Sequence, residues 1–448
     1  MTASPQSLAH ALLDAAKAAG ADSADSIAIS GTSVSIDVRG GALEQAEREE
    51  STDIGLRVFV GSRSAIVSAS DSRPETFAAI AERAVAMARE APEDPYAGLA
   101  DPGQLGTPVD PGPLEMYDPT EEPSPATLEQ TAREAEAAAL GVEGITQVQS
   151  ASAGYTARDV WLAATNGFSG GYTRSSRGHS CVAIAGEGLK MERDYDGDSR
   201  TFQSDLISPA EIGRSAAERA VQRMNPRRPK TGKYPVIFDE RIAASLIAHL
   251  MGAASGSAVA RGASWLRGAL GEDLLPKGID LMEDPHRARA AGTRPFDAEG
   301  LATRPRAVVR DGVLESFTLD LANARKLGME STANAARSAG SGPSPSPWNL
   351  SLTQGTQSRD ALAAEMGTGL IVTSMIGATI NPNTGDYSRG AAGMWVENGE
   401  VAYPVSGVTL AGNLREMLAT ITPANDARPW LSRIVPSLRV EGLTLAGE

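Results

Sequence analysis

Gly167-Phe168-Ser169-Gly170-Gly171 has the G-x-S-x-G spacing of a serine-hydrolase nucleophile elbow, a strained strand-to-helix turn that presents the serine hydroxyl. The residues that follow, Tyr172 to Gly186, alternate as a strand does, and Asn166-Gly167 is a hairpin-tip pair, so the helix an elbow requires is missing. His179, Ser180 and Cys181 gather three reactive side chains. On a strand, however, the two-residue period sends His179 and Cys181 to one face and Ser180 to the other, which predicts an ordinary strand with a small apolar cysteine. Gly186-Glu187-Gly188 and Gly340-Ser341-Gly342 lack the rest of any phosphate-cradling pattern. A zinc peptidase site needs about three ligands from His, Glu, Asp or Cys, an open position for water and a carboxylate as general base. The four histidines, His10, His179, His249 and His286, are scattered and none is followed by Glu. The helix that carries His249 has no carboxylate after Asp239 and Glu240. The chain is therefore expected to hold no metal, and His249 reads as a packed histidine or a substrate contact.

A second constellation lies between Asn381 and Leu418. Asn381-Pro382-Asn383 and Thr384-Gly385-Asp386 are dense turn chemistry, which predicts a long polar loop from Asn381 to Gly393. Asn381, Asp386, Tyr387, Ser388 and Arg389 on that loop are the candidate substrate or partner contacts, with a loop rigidified for folding reasons as the competing reading. Asn398-Gly399 between Met394-Trp395-Val396-Glu397 and Glu400-Val401-Ala402-Tyr403 predicts a hairpin, because a type I′ turn needs positive φ twice. Pro404 is expected to end the second strand or to lie at an edge. Gly412-Asn413 then opens a helical run through Leu414, Met417 and Leu418, with Asn413 as the cap.

The run YSRGAAGMWVENGEVAYPVSGVTLAGNLREML, Tyr387 to Leu418, together with GLRVFVGSRSAIVSASD, Gly55 to Asp71, resembles the TldD/TldE (PmbA) family, and its TldE (PmbA) branch in particular. The resemblance extends over nearly the whole chain. It implies one subunit of a heterodimeric zinc metallopeptidase that cleaves unfolded or extended peptides. In that family the catalytic TldD branch carries HExxxH on a helix of the third domain and a ligand cysteine near the C-terminus. This chain has neither, and its one cysteine, Cys181, lies far from the C-terminus. The resemblance thus implies a subunit without its own catalytic centre and without a cofactor, which completes the substrate cavity while zinc resides in a TldD-like partner. Self-association in the partner's absence is open to it. The rival reading is a stand-alone peptide- or protein-binding regulator, suggested by the family's older description as a gyrase modulator.

The elements that must position these residues follow from pattern and composition. A chain of 448 residues, 41% hydrophobic and 22% charged, can bury large cores and divide into several domains. A net charge of -15 opposes binding to nucleic acid or anionic membrane, both of which require a basic face. The first twenty residues have no basic residue ahead of their apolar part and carry Asp14 within it, unlike a secretory signal. The longest apolar run, Gly369 to Ile380, is too short to span a bilayer. With a single cysteine, these features predict a cytoplasmic protein. Residues 1–91 read as helix, strands, helix: an α+β unit with helices on one face of an antiparallel sheet. Residues 92–125 hold nine prolines, eight acids and no Lys or Arg, the composition of a linker or draped loop. Residues 126–228 read as a helix, a β-meander broken at Ala157-Arg158, Asn166-Gly167, Arg177-Gly178 and Gly186-Glu187-Gly188, and a further helix opened by Ser208-Pro209. Residues 229–448 read as a third domain rich in antiparallel β, and the family resemblance implies that it is equivalent to the metal-bearing domain of TldD. It begins with a buried strand at Tyr234 to Phe238 and a helix after Asp239, and it includes an Asp311-Gly312 hairpin and a Gly/Ser/Pro loop from Ser338 to Pro347.

Overall fold

Three helices begin with the same device, a serine cap followed by proline. Ser4, Ser124 and Ser208 each accept a hydrogen bond from a backbone N–H three residues on, Ser7, Thr127 and Glu211, and the following proline has no N–H to leave unpaired. The computed structural model describes residues 3–107 and 109–448. The helices are α1 (Pro5–Ala18), α3 (Pro125–Leu140) and α4 (Pro209–Gln222); α2 (Phe77–Glu90) follows a turn of 3₁₀ helix.

All four cover one face of a six-stranded antiparallel sheet. Its strands are β1 (Ser23–Arg39), β2 (Ala42–Val60), β3 (Arg63–Ala69), β4 (Ile145–Ala164), β5 (Ser169–Ala185) and β6 (Glu192–Arg200), in the order β3-β2-β1-β4-β5-β6. Residues on either side of the 92–125 segment thus share one sheet, because β1 pairs with β4 from Asp25↔Ala164 to Val38↔Ala151. Alternation along β1 sorts its side chains. Ala28, Val34, Ile36 and Val38 face the helices, where Leu8, Leu12, Phe77 and Val85 cover one half of the sheet and Leu128, Ala132, Ile212 and Ala216 the other. Ile29, Gly31, Ser33 and Ser35 lie on the opposite face, beside the C-terminal third of the chain.

Two expected breaks in the meander are absent: β4 runs through Ala157-Arg158 and β5 through Arg177-Gly178, each bonded on both sides. The polar and small residues there mark a face left open, not a turn. The other two breaks are turns, with Gly167 and Gly186 at positive φ.

The 92–125 segment is draped and fixed. Arg325 donates to the carbonyls of Tyr96, Gly98 and Leu99, Arg289 pairs with Glu115, and Arg177 pairs with the buried Asp118. Ala100, Leu114 and Met116 supply its buried apolar anchors.

The C-terminal part starts with β7 (Gly232–Phe238), followed directly by α5 (Glu240–Ala253), capped by Asp239. β7 pairs in parallel with Gly369–Ile380, which continues antiparallel to Asp386–Glu397 and then to Glu400–Asn413. Glu400–Asn413 also pairs with Leu438–Ala446, which returns to β7, so the ladder closes on itself. Leu246, Ile247 and Leu250 of α5 are fully buried with Val236, Phe238, Leu370 and Val372 of these strands. At about 1.5–3 kcal/mol for each large side chain, this contact fixes the helix on the sheet. The hairpin at Asn398-Gly399 forms with φ of 53° and 83°, and the turn at Asp311-Gly312 with φ of 46° and 83°. The strand after Asp311-Gly312 is short, Val313–Leu314. Pro404 does not end its strand, which runs on to Asn413; it lies at the edge, as the other half of the expectation had it, outside the 409–411 stretch that pairs with Leu438–Ala446.

Candidate functional site

Between the open face of the first sheet and α5 lies a cleft of about 720 Å³. Its walls come from three places: Arg193 and Tyr195 on β6, Arg241, Ser245 and Ala248 on α5, and Met375, Ile376 and Arg389 on the neighbouring strands. β6 alternates so that Asp194, Asp196 and Asp198 are buried while Tyr195 is 59% exposed. Asp194 bridges the two halves: it accepts from Arg241 of α5 at 3.0 Å and pairs with Arg223 of α4 at 3.4 Å. This strut sets α5 against β6, and Asp239, paired with Arg241 and with Arg359 at 2.8 Å, holds the start of the same helix. Arg193 donates to Gln149 at 3.2 Å and Arg389 to the Gly377 carbonyl at 2.6 Å. Among the described residues neither of these two, nor Arg433, which also lines the cleft, makes an ion pair, so the cleft carries a net positive charge.

The expected long loop from Asn381 to Gly393 is a tight turn at 381–385 followed by a strand. The ladder wins over local turn chemistry because Asp386–Glu397 is bonded on both sides. The turn is closed by the Asn381 N–H to the Asp386 carbonyl and by Gly385 N–H to the Asn381 carbonyl. Asn381 and Asp386 therefore sit together at the strand end. The Asp386 carboxylate accepts from Thr384 and Asn413, which hold it below the usual range, and Asn413 caps the helix Leu414–Ala419 as expected. Ser388 lies mid-strand, opposite Thr379 and Ala411, on the other face from its two neighbours. Tyr387 and Arg389 share a face with His249. Tyr387 is 2% exposed, its hydroxyl donates to Met375 Sδ at 3.3 Å, and its ring meets the His249 ring edge-on at 6.0 Å. Burial pushes the Tyr387 hydroxyl up to about 12. Burial, and then the Arg389 charge, holds His249 below the ordinary imidazole value. His249 Nε2 and Ser245 Oγ, one turn apart, are buried without a hydrogen-bond partner among the described residues. The structure thus gathers His249, Tyr387 and Arg389 and separates them from Asn381 and Asp386.

Arg193, Arg241 and Arg433 were not singled out by sequence motifs. A signal existed for the first: from Glu192 to Asp198 every second residue is acidic, which on a strand puts Arg193 and Tyr195 on the opposite face. Ser169 accepts from the Trp161 indole and bonds His10, at a hairpin tip with no helix after it. Cys181 is fully buried, and burial pushes its thiol up to about 12, which leaves it inert as a nucleophile.

Known proteins resemble this chain along its whole length. Models of the PmbA/TldA metallopeptidase domain 1, central domain and C-terminal domain match residues 24–88, 118–224 and 231–447. Metalloprotease PmbA of Escherichia coli O157:H7 is 35% identical over 423 residues, 93% of this chain and 90% of that protein. The chain belongs to the PmbA/TldD family. The PmbA homologue of Haemophilus influenzae is 33% identical over 89% of this chain and 86% of its own length. A crystal structure from Bacteroides thetaiotaomicron, described as a candidate modulator of DNA gyrase, superposes with a TM-score of 0.91 at 27% identity, covering 99% of this chain and 98% of that one. TldE from Thermococcus kodakarensis shares the fold, with a TM-score of 0.84 at 22% identity over 98% and 99% of the two chains.

A PmbA/TldD metallopeptidase implies a metal, and the donors in this cleft do not fit one. The face α5 turns to the cleft offers Arg241, Ala244, Ser245 and Ala248, and beside it lies the lone imidazole of His249, packed against Tyr387. Its nearest charged neighbour is Arg389, whose charge opposes a second cation. Among the described residues no three His, Cys, Asp or Glu side chains converge. No chemical step is therefore derived through a metal held by this chain.

Proposed function

We propose that this chain is the noncatalytic, TldE-type subunit of a two-subunit zinc metallopeptidase that cleaves extended peptides. The carrying observation is α5, which turns Arg241, Ala244, Ser245 and Ala248 to a cationic cleft, with its one histidine packed against Tyr387 beside it, where a peptidase would need its ligands and its general base. The role left to this chain is enclosure and alignment of substrate. β6 is the edge strand of its sheet, and it runs beside the cleft with Tyr195 exposed, so an extended peptide can add along it through main-chain bonds with little sequence preference. Farther along the open face the floor is built of small polar residues, Ser35, Gly154, Gly178, Ser180, Gly197 and Ser199, under Trp430 and Leu431. Such a floor leaves room for a backbone and supplies hydroxyls to bond it. The TldD-like partner brings the metal and the base.

Purified alone, the chain is expected to carry far less than one zinc per molecule and to leave unfolded peptides intact. Mixed with a TldD-like chain, it forms a one-to-one complex whose peptidase activity a chelator abolishes. Elemental analysis, size-exclusion chromatography and a peptide-cleavage assay on each chain and on the mixture decide the matter. Stoichiometric zinc in the lone chain, or cleavage by it that a chelator stops, would sink the noncatalytic assignment. A mixture with neither complex nor activity would favour the stand-alone regulator.

A further inference from the structure

A second concave site, separate from the cleft beside α5, lies at the other end of the open sheet face, beneath the loops that carry Arg294 and Trp348. It encloses about 210 Å³. Arg158 of β4 and Arg174 of β5 are directly opposed across the sheet, Arg158↔Arg174, and Arg294 reaches in from the C-terminal part. Like charges directly opposed on a sheet repel, and the repulsion grows as water is excluded. Nevertheless none of the three has a carboxylate partner among the described residues. Arg174 reaches only the Thr293 carbonyl, at 3.3 Å, and Arg294 only the carbonyls of Ala291 and Thr293. Burial, then the neighbouring Arg294 charge, pushes the Arg174 guanidinium down to about 10. Two carboxylates lie close by, and both are already committed. Asp297 accepts three backbone N–H groups, from Glu299, Leu301 and Ala335, and Asp25 is shared by Arg57 and by Arg337, which also lines the site.

The rest of the wall is apolar and aromatic. Phe168 meets Phe296 edge-on and Tyr172 meets it at a tilt, with ring centroids 5.0 and 5.6 Å apart, and Arg294 lies over the rings of Tyr172 and Trp348 at 5.9 and 5.4 Å. Ile29 and Val160 close the sheet side. Crowded guanidiniums without counter-charge ask for an anion, and the planar fork of arginine suits a carboxylate. The apolar wall asks that the anion carry a hydrocarbon or aromatic body, which excludes bare phosphate as a matching occupant.

We propose that this pocket binds the free C-terminal carboxylate of a peptide whose last side chain is apolar or aromatic, with Arg158, Arg174 and Arg294 holding the carboxylate. This assignment rests on the peptide-handling role proposed above for its choice of ligand; the anion requirement itself rests only on the arginines. In such a pocket a carboxylate gains charge-assisted hydrogen bonds and relieves the arginine repulsion at once. A side chain such as phenylalanine or leucine replaces water against Phe296, Trp348 and Val160. An amidated peptide end offers neither the charge nor the second acceptor oxygen.

The test is fluorescence anisotropy on the isolated full chain, with N-terminally labelled peptides ending in phenylalanine, either as the free acid or as the amide. The free acid is expected to bind more tightly by about tenfold or more, the loss typical of one charged hydrogen-bonding partner. Arg174→Gln and, as an independent second variant, Arg294→Gln should each abolish that preference without lowering the melting temperature. A free acid ending in aspartate should bind less tightly than one ending in phenylalanine, and inorganic phosphate should compete only weakly. Equal binding of acid and amide by the intact chain would overturn the proposal, as would a preference that survives both substitutions. The outcome separates from that of the proposed function: acid preference without activity in the two-chain mixture would refute the peptidase role alone, and activity without acid preference would refute this site alone.

Discussion

Arg389 shows how a residue's role depends on the element beneath it. As a loop residue it could be lost at little structural cost; as a strand residue it holds the Gly377 carbonyl and faces His249 across the cleft edge. Gly377 has φ of 66° within the irregular stretch of Gly369–Ile380, where the pairing register shifts between Ile376 and Thr379. Arg389→Ala is therefore expected to cost about 1 kcal/mol, the net worth of one ordinary solvent-exposed hydrogen bond, and to leave the fold intact. Two readouts check the placement. The His249 ring, followed by NMR titration, should titrate at higher pH in the variant, because a neighbouring positive charge that disfavours protonation is gone. Peptide cleavage by the two-chain complex should fall. A His249 titration that does not move would remove Arg389 from its neighbourhood. Tyr387 was legible as part of the same constellation, yet its burial was not: turn residues on one side and small residues on the other hid the fact that it starts a central strand.

At the scale of elements, the sequence was most readable where local chemistry and tertiary demand agree. The Ser208-Pro209 cap and the Asn398-Gly399 and Asp311-Gly312 turns are local signals whose geometry does not depend on what packs nearby. It was least readable where polar residues sit in regular structure. The first half of β2, from Ala42 to Ser51, is exposed throughout and rich in Glu, so it carries no apolar alternation, yet it pairs with β1 along its length. The breaks expected in β4 and β5 failed for the same reason. The proline-rich segment was read from composition as linker or draped loop; composition cannot tell the two apart, because the arginines that fix it lie elsewhere in the chain. Among these, Arg325 donates three bonds to consecutive turns of the 96–99 backbone. The segment is thus expected to resist limited proteolysis in the native chain, and Arg325→Ala should open it near residues 92–105. The segment has no Lys or Arg, so trypsin is blind to it; thermolysin followed by mass spectrometry gives the answer. Cleavage there in the unaltered chain at the same rate as in the variant would show that the arginine bonds do not restrain it.

At the scale of the molecule, the first sheet and the C-terminal part are locked by a buried charge cluster that no local pattern announces. Asp25 of β1 is held between Arg57 of β2 and Arg337 of the Gly/Ser/Pro loop region, with side-chain exposures of 3%, 10% and 2%. The loop comes so close that a Cβ on Gly55 would lie 2.1 Å from the Ala339 carbonyl oxygen, which is why β2 carries a glycine there. Burial alone would raise the Asp25 carboxyl, but Arg337 and Arg57 outweigh it and hold the group below 3.8. Nearby, burial pushes Glu299 from 4.5 up to about 8, with the charge of Asp297 adding to the rise. The two groups give stability opposite pH dependences. Asp25 binds its proton less readily in the fold than in the unfolded chain, so its contribution is complete above about pH 4 and is lost as the pH falls below that. Glu299 keeps its proton in the fold when the unfolded chain has released it, so its contribution is complete below about pH 4.5 and is lost as the pH rises toward 8. The urea midpoint is therefore expected to be highest near pH 4 to 5, to fall toward pH 8, and to fall again in acid. Glu299→Gln should flatten the alkaline slope while leaving the acid limb in place. Asp25→Asn should shrink the acid limb, to which Asp118 and Asp386 also contribute, and, by stranding two buried guanidiniums, lower stability by about 3–5 kcal/mol at neutral pH. If the midpoint of the Glu299→Gln variant still declines between pH 5 and 8 as steeply as that of the unaltered chain, Glu299 does not carry a proton across that range and the lock is not pH-sensitive through it.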